Sequence, residues 1–155
     1  MAFSFLFGLL LQAAAPGVTP EQFFVGLTEG SGTVRMVLSR PHGVRVRSRG
    51  RMDRDGALLL DQVVEEEGKP PRRRAWRLVR SGPNRFTGTI SDARGPVTGE
   101  ITGNVLVLAY RSAEGPSVEH RITIRPDGRS AHNLTRFRRF GLTVATVDEV
   151  IRRVD

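Results

Sequence analysis

The amino-acid sequence predicts an all-β protein: an eight-stranded antiparallel up-and-down barrel with short N-terminal and C-terminal helical turns. After Pro20, seven turn signals rich in Gly, Pro, Asn and Asp separate eight segments of the chain. Turns at such regular spacing are typical of antiparallel sandwiches and barrels. The segments are rich in Val, Ile, Thr and Leu, and no long helical period lies between them. Eight strands in this order would close into a barrel, which leaves no unpaired edge.

The N-terminal segment has the pattern of an export signal. An apolar run extends from Ala2 to Leu11, and small residues follow at positions 13 to 15. This pattern is typical of a signal peptide cleaved after Ala15, and the run is too short to span a bilayer, which needs about 20 apolar residues. The alternative is an apolar strand or helix of the fold, since no Lys or Arg precedes Thr19. We predict a signal peptide over residues 1–15, one barrel domain over 16–155, and a periplasmic or secreted location.

The segment from 44 to 66 predicts one particular hairpin. Apolar residues at even positions alternate with four arginines that face the opposite side of the strand, namely Arg45, Arg47, Arg49 and Arg51. A three-residue loop over 54–56, with Gly56 in the left-handed region, sets Val46 opposite Val64 and Arg49 opposite Asp61. The apolar pattern, the charges and the turn therefore agree on one register.

The acidic run of Glu65, Glu66 and Glu67 precedes the next turn, and Arg72, Arg73 and Arg74 follow that turn. Opposite charges across a hairpin stabilise it by a few tenths of a kcal/mol per pair. We therefore interpret the acidic run as a set of cross-strand partners and not as a metal site. The three histidines, His42, His120 and His132, also lack metal-ligand spacing, so no metal or cofactor is predicted.

The glycine-rich stretch from 85 to 104 matches no phosphate-binding motif, because its spacing differs from the known patterns and no helix follows it. We interpret Gly88 and Gly103 as strand-interior glycines and Gly95–Pro96 as a turn. At the C-terminus, Thr146 and Glu149 have capping-box spacing. We therefore expect the last strand to end near Val144 and a helical turn to follow, and we expect another helix over Pro20–Phe24.

Several motifs together resemble a family of uncharacterised bacterial envelope proteins, often lipoproteins, with a lipocalin-like barrel. The most specific are Arg74-x-Trp76, the segment from Gly88 to Asn104, and Phe140-Gly141, and the resemblance runs from about residue 21 to 150. It implies the fold and an envelope location, and it implies no activity. The chain has no cysteine, so it lacks the residue that carries the lipid in such lipoproteins and has no thiolate chemistry or disulfide.

Strand parity places five candidate site residues inside the barrel: Gln62, Glu66, Arg74, Trp76 and His120. One interpretation is an internal polar network in which Arg74 pairs with Glu66, because buried polar groups need partners. The other is a ligand pocket in which Arg74 meets an acidic head group and Trp76 packs against an apolar body. The two interpretations are compatible.

The function that we expect is therefore non-enzymatic: an exported barrel that binds a small apolar or amphiphilic ligand, including an anionic one, or that serves the envelope structurally. The alternative is a basic surface module that binds an anionic membrane or polysaccharide through Arg45, Arg47, Arg49 and Arg51, given a net charge of +8. A hydrolytic or isomerising enzyme would have only Glu66, Asp92 and His120 to work with. Nucleic acid is not expected, because no aromatic-rich exposed strand is present for base stacking.

Cleavage after Ala15 gives the first testable prediction. When the full chain is expressed in a bacterial host, the exported protein should begin at Pro16, because signal peptidase selects small residues before the cleavage site. Intact-mass spectrometry of the periplasmic and cytoplasmic fractions checks this. A fractionated protein that keeps all fifteen residues would contradict the prediction.

Overall fold

Antiparallel pairing between sequence neighbours organises the structure. The computed structural model describes residues 17–155, so the predicted signal peptide lies outside the described residues. One helix and ten strands follow in the order α1 (Pro20–Phe24), β1 (Gly26–Met36), β2 (His42–Met52), β3 (Leu58–Glu66), β4 (Arg72–Gly82), β5 (Arg85–Ile90), β6 (Ala93–Thr102), β7 (Val105–Ser112), β8 (Ser117–Ile124), β9 (Ser130–Arg139) and β10 (Leu142–Arg153). Each strand pairs with its neighbours in the chain, and β1 pairs with β10, so the sheet is a closed barrel.

The barrel and its meander order are confirmed, but the predicted number of eight strands is wrong. Two short turns account for the difference, because Gly103 (φ 60°) joins β6 to β7 and Gly141 (φ 75°) joins β9 to β10. Gly103 is therefore not a strand-interior glycine. Gly95 and Pro96 lie within β6 near a register shift, and the turn before that strand falls at residues 91–92.

The predicted C-terminal helical turn is also wrong, because β10 extends to Arg153. Its residues pair with β1 on one side and β9 on the other, as at Val147, which faces Val34 and Thr135. Two ladders of backbone hydrogen bonds override a local capping signal here. The N-terminal helix is confirmed, with Thr19 and Gln22 forming a capping box.

The predicted register of the β2–β3 hairpin is confirmed, since Val46 faces Val64 and Arg49 faces Asp61. The acidic run, in contrast, does not lie opposite the arginines of β4, because Val64 faces Arg72 and Gln62 faces Arg74. Its partners are on the other side: Glu65 accepts a hydrogen bond from Arg47 of β2. Cross-strand pairing of this run is thus real but involves β2.

The core fills the barrel in two unequal parts. The larger cluster surrounds Phe23 and Phe24 of α1, which cover the end of the barrel where β2 ends and β3 begins. The smaller valine cluster lies on β1, β2 and β3 toward the other end and comprises Val34, Val44, Val46 and Val64. Within residues 17–155 no helix is long and apolar enough to cross a membrane.

Close approach of α1 to β2 requires a glycine. A Cβ atom built at Gly50 would lie 1.8 Å from the carbonyl oxygen of Phe24. We predict that Gly50→Ala lowers the free energy of unfolding by roughly 1–3 kcal/mol, the usual cost of overpacking. Urea unfolding measures it. Gly43→Ala in the same strand is the matched control, because a Cβ atom built there would lie 3.7 Å from the nearest side-chain atom. Equal unfolding free energies for the two variants would contradict the prediction.

Candidate functional site

A layer of polar side chains crosses the barrel interior next to the larger apolar cluster. It lines a cavity of about 40 Å³. A cavity of this volume holds about three waters. The interior is therefore narrow and partly polar, and it is not a wide ligand chamber. The polar residues that line it are Thr28, Ser48, Gln62, Arg74, His120, Asn133 and Glu149.

Gln62 is the centre of one half of this layer. Its Oε1 accepts hydrogen bonds from Nε of Arg74 at 2.6 Å and from Nε1 of Trp76 at 2.8 Å. Its Nε2 donates to Oγ of Ser48 at 2.8 Å. These residues come from β2, β3 and β4, and the alternation of strand side chains points all four inward. Gln62 therefore fixes the position of both residues of the Arg74-x-Trp76 motif.

Arg74 has no carboxylate within ion-pair distance among the described residues. Its guanidinium lies 5.7 Å from the Trp76 ring centroid, and burial lowers the pKa of Arg74. Asp92, at the rim, does not pair with Arg74, because its Oδ2 accepts a hydrogen bond from Nη1 of Arg72 at 2.5 Å. Only Nε of Arg74 is hydrogen-bonded within the described chain, so the two terminal nitrogens keep free donors.

His120 forms the opposite half of the layer. Its Nδ1 lies 3.0 Å from Oγ1 of Thr135, and its Nε2 lies 3.3 Å from the Tyr110 hydroxyl. The ring stacks on Tyr110 and meets the edge of Trp76. Burial, assisted by the charge of Arg74, lowers the pKa of His120 to about 3. The imidazole is therefore neutral at physiological pH, with one nitrogen a donor and the other an acceptor.

Glu149 is a buried carboxyl group in the same layer. It accepts a hydrogen bond from Asn133 Nδ2 at 2.9 Å, and burial raises its pKa. Glycine at position 30 makes room for it, since a Cβ there would lie 2.2 Å from Oε2 of Glu149. Oδ1 of Asn133 is buried without a hydrogen-bond partner, which is uncommon in folded proteins. A hydrogen-bond donor entering the cavity would find one unpaired acceptor on this side.

Four of the five predicted interior residues are brought together: Gln62, Arg74, Trp76 and His120 all line the cavity. Glu66 does not, because it lies near the rim and bonds Nε2 of His42 at 2.6 Å and Nζ of Lys69 at 3.2 Å. The expected Arg74–Glu66 pair is therefore not formed.

Sequence reasoning missed four polar residues that line the cavity: Thr28, Ser48, Asn133 and Glu149. Parity would have placed Glu149 inside, between Val147 and Ile151, had residues 142–153 been interpreted as one strand.

The arginine stripe of β2 lies on the outer face, as predicted, and all four of its side chains are exposed. Acidic residues on the neighbouring strands interrupt its charge: Glu29 and Glu65 flank it, Arg47 bonds Glu65, and Asp61 faces Arg49. Its use as an anionic-surface site stays a prediction. No group of three potential metal ligands occurs within residues 17–155.

Comparison with known proteins places the chain in a family. A family model described as "Protein of unknown function (DUF3833)" matches residues 10–153. The chain belongs to this family. The resemblance to an uncharacterised family with a lipocalin-like barrel is thus confirmed, whereas an envelope location for this DUF3833 protein stays a prediction. No curated protein matches the chain.

Two solved structures are similar to this DUF3833 barrel. One is the S-type phycobiliprotein lyase CPES from Guillardia theta, with a TM-score of 0.67, 7% identity, and 87% of this chain and 90% of that chain covered. The other is Rv2717c from M. tuberculosis, with a TM-score of 0.66, 14% identity, and 89% and 99% covered. At these identities the likeness shows the fold alone.

The expectation of a non-enzymatic protein is contradicted by the first of these structures, because a barrel of the same fold is a lyase. A plain barrel without recognisable catalytic motifs is not evidence against enzymatic activity, since a fold of this kind is compatible with catalysis and function resides in the site residues.

Because His120 is buried in its neutral form, the stability of the protein should depend on pH. Below its ordinary pKa of 6.5 the unfolded chain takes up a proton at His120 that the folded chain, with a pKa of about 3, does not bind. Stability therefore falls as pH decreases through this window. Between pH 7 and pH 5, wild type should lose about 2 kcal/mol more unfolding free energy than His120→Gln. Chemical denaturation at the two pH values measures the difference.

Because the pKa of Glu149 is raised in the folded protein, Glu149 makes the fold more stable as the pH falls toward 4.5, which is opposite to the effect of His120. Both wild type and His120→Gln contain Glu149, so its contribution cancels to first order when the two are compared. His132→Gln is the control, because His132 is exposed and bonds Asp148 outside the cavity. It should keep the wild-type loss on acidification. An unchanged pH slope in His120→Gln would show that His120 is not held neutral.

Proposed function

We propose that the barrel binds a small amphiphilic anion, with the acid group of the ligand on Arg74 and its apolar part against Trp76 and the core cluster. The observation that carries this proposal is an interior guanidinium with free donors and no acidic partner. Arg74 is half-buried, so its guanidinium loses part of its hydration, and no ion pair repays that cost. A ligand carboxylate, phosphate or sulfonate would supply that partner.

The hydrogen bonds around Arg74 favour a ligand-binding role for this residue over a purely structural one. Gln62 accepts from Nε, which leaves the two terminal nitrogens without a partner in the described chain. Those two nitrogens are the pair that arginine commonly uses for two-point binding of an acid group. Trp76 donates to the same Oε1 of Gln62, and Nε2 of Gln62 donates to Ser48, so Gln62 is held in place before a ligand arrives. A fixed donor pair lowers the entropic cost of binding.

The remaining walls define the rest of the ligand. Apolar side chains lie next to the polar layer, and the ones that line the cavity are Phe24, Val46, Leu60, Trp76, Leu78, Leu108, Ile122 and Ile151. Opposite Arg74, the unpaired Oδ1 of Asn133 offers an acceptor to a second polar group. The enclosed volume accommodates a group of a few heavy atoms, so we infer a short-chain organic acid or the head of a longer amphiphile.

The similarity to a phycobiliprotein lyase supports this proposal only at the level of the fold, which can hold small ligands in its interior. It also leaves chemistry on the bound ligand open. Glu149 and His120 are the titratable groups on the cavity wall from which such chemistry would start. The experiment below tests binding, which any reaction in this cavity would require.

Arg74→Gln should weaken binding of butanoate by about tenfold or more, because a hydrogen bond to a charged group stabilises a complex by roughly 1.5–3 kcal/mol. Binding of 1-butanol, which has the same carbon chain and no charge, should change less than about twofold. Titrations follow the fluorescence of Trp76, which is the single tryptophan of the chain and contacts the guanidinium.

Arg73→Gln is the matched control, since Arg73 is the adjacent residue on the same strand and is exposed on the outer face. It should bind butanoate like wild type. Thermal unfolding of all three proteins separates lost binding from lost folding. Equal affinity of wild type for butanoate and 1-butanol, or unchanged butanoate binding in Arg74→Gln, would refute an anion site at Arg74.

A further inference from the structure

Two hairpin tips expose large apolar side chains to solvent at one end of the barrel. Leu38, in the β1–β2 turn, is 103% exposed, and Phe140, in the β9–β10 turn, is 96% exposed. Of the eight exposed large hydrophobic residues in the described part of the chain, five belong to these hairpins, and we call them the tip surface: Met36, Val37, Leu38, Phe140 and Leu142. Single exposed apolar residues are ordinary, but a contiguous set marks an interaction surface.

The backbone at both tips is unusual in the same way. Leu38 (φ 64°) and Phe140 (φ 51°) are the two non-glycine residues with positive φ in the region that the structure describes. Large apolar residues rarely adopt this left-handed conformation, where Gly or Asn is more stable. Neither side chain gains core contacts in return, since both are fully exposed. Strained residues that persist without a packing benefit are typical of functional positions.

Barrel closure brings the two tips together. Met36 of β1 lies opposite Ala145 of β10, and the N–H of Val37 donates to the carbonyl of Val144 at 3.1 Å. The two turns therefore leave the barrel from neighbouring strands, at the end opposite α1. Two exposed apolar groups on adjacent tips form one surface and not two separate ones.

Basic residues surround this surface. Residues 35–42 and 136–143 contain five arginines and no Asp or Glu: Arg35, Arg40, Arg136, Arg138 and Arg139. Among residues 17–155, none of the five forms an ion pair with a carboxylate. Acidic residues do lie on the neighbouring strands, since Glu119 faces Arg136 and Glu66 bonds His42, but neither pairs with one of the five arginines. The partner of the tip surface should accordingly be both apolar and negatively charged.

We propose that the tip surface docks onto an anionic lipid bilayer. Leu38 and Phe140 enter the apolar boundary of the bilayer, and the surrounding arginines bind lipid phosphates. Basic segments near apolar anchors bind anionic membranes through both contributions together. A second copy of the chain fits less well, because a symmetric tip-to-tip dimer would bring ten arginines together without an acidic residue from either pair of tips.

The test uses the full chain and vesicles of phosphatidylcholine with about 30% phosphatidylglycerol, at low and high salt. The double variant Leu38→Asn/Phe140→Asn should partition onto these vesicles at least about tenfold more weakly than wild type. Its unfolding midpoint should be unchanged or higher, since Asn suits the left-handed backbone. Val154→Asn, which removes an exposed apolar residue near the C-terminus, is the matched control and should bind like wild type.

A site-specific measurement excludes binding through the apolar N-terminal segment. Leu38→Trp and Val154→Trp each add one tryptophan to the same chain, and brominated lipids quench a tryptophan that enters the bilayer. Quenching should occur at position 38 and not at 154. Quenching at both or at neither, equal retention of the double variant, or equal binding to pure phosphatidylcholine would overturn the proposal.

A dimer in sedimentation velocity that disappears in the double variant, without vesicle binding by wild type, would assign the tip surface to a second copy and also overturn the proposal. Arg74→Gln keeps the tips intact and should bind vesicles like wild type. The proposal of vesicle docking and the proposal of anion binding at Arg74 can therefore be confirmed or refuted independently.

Discussion

Pairing of β1 with β10 is the constraint on which the rest of the structure depends. The ladder extends from Thr28 opposite Arg153 to Met36 opposite Ala145 and leaves the sheet without a free edge. Closure turns alternate side chains of every strand toward one shared interior, so polar residues distant in sequence meet there. Glu149 reaches the cavity because β10 lies beside β1, where glycine at position 30 leaves space for its carboxyl group. The same ladder ends at the tip surface and sets its two hairpins side by side.

The polar layer is hard to explain as a source of stability. An interior arginine bonded to one neutral amide loses hydration and gains no ion pair, and replacing such groups with apolar residues is often neutral or stabilising. The neighbouring clusters show that this chain can fill a barrel with apolar side chains. Arg74, neutral His120 and buried Glu149 instead surround a small cavity, and the buried Oδ1 of Asn133 lacks a partner. Incomplete hydrogen bonding among groups held this firmly favours a site prepared for a ligand.

The sequence predicted those parts of the structure in which several local signals agree. The β2–β3 register followed from the turn, the charges and the alternation together, and parity alone placed Gln62, Arg74, Trp76 and His120 inside. The strand count failed at Gly103, because a two-residue turn between apolar strands resembles a strand-interior glycine. Glu149 was lost for a different reason: its spacing from Thr146 suits a helix cap, and only pairing with distant β1 and β9 makes this segment a strand. Non-local pairing is the information that a local pattern lacks.

The two ends of the barrel differ, and the difference bears on how a ligand reaches the cavity. Phe23 and Phe24 are buried at one end, so α1 obstructs entry there. The valine cluster lines the wall toward the other end, and Val34 precedes tip residue Met36 by two positions on β1. These packed valines separate the tip surface from the cavity, so an amphiphile arriving from that side would have to displace them before its acid group reached Arg74. If the tips rest on a bilayer as proposed, the lipid lies on the valine side of Arg74. The molecules that the interior is proposed to bind, with an acid group on an apolar body, also partition into membranes.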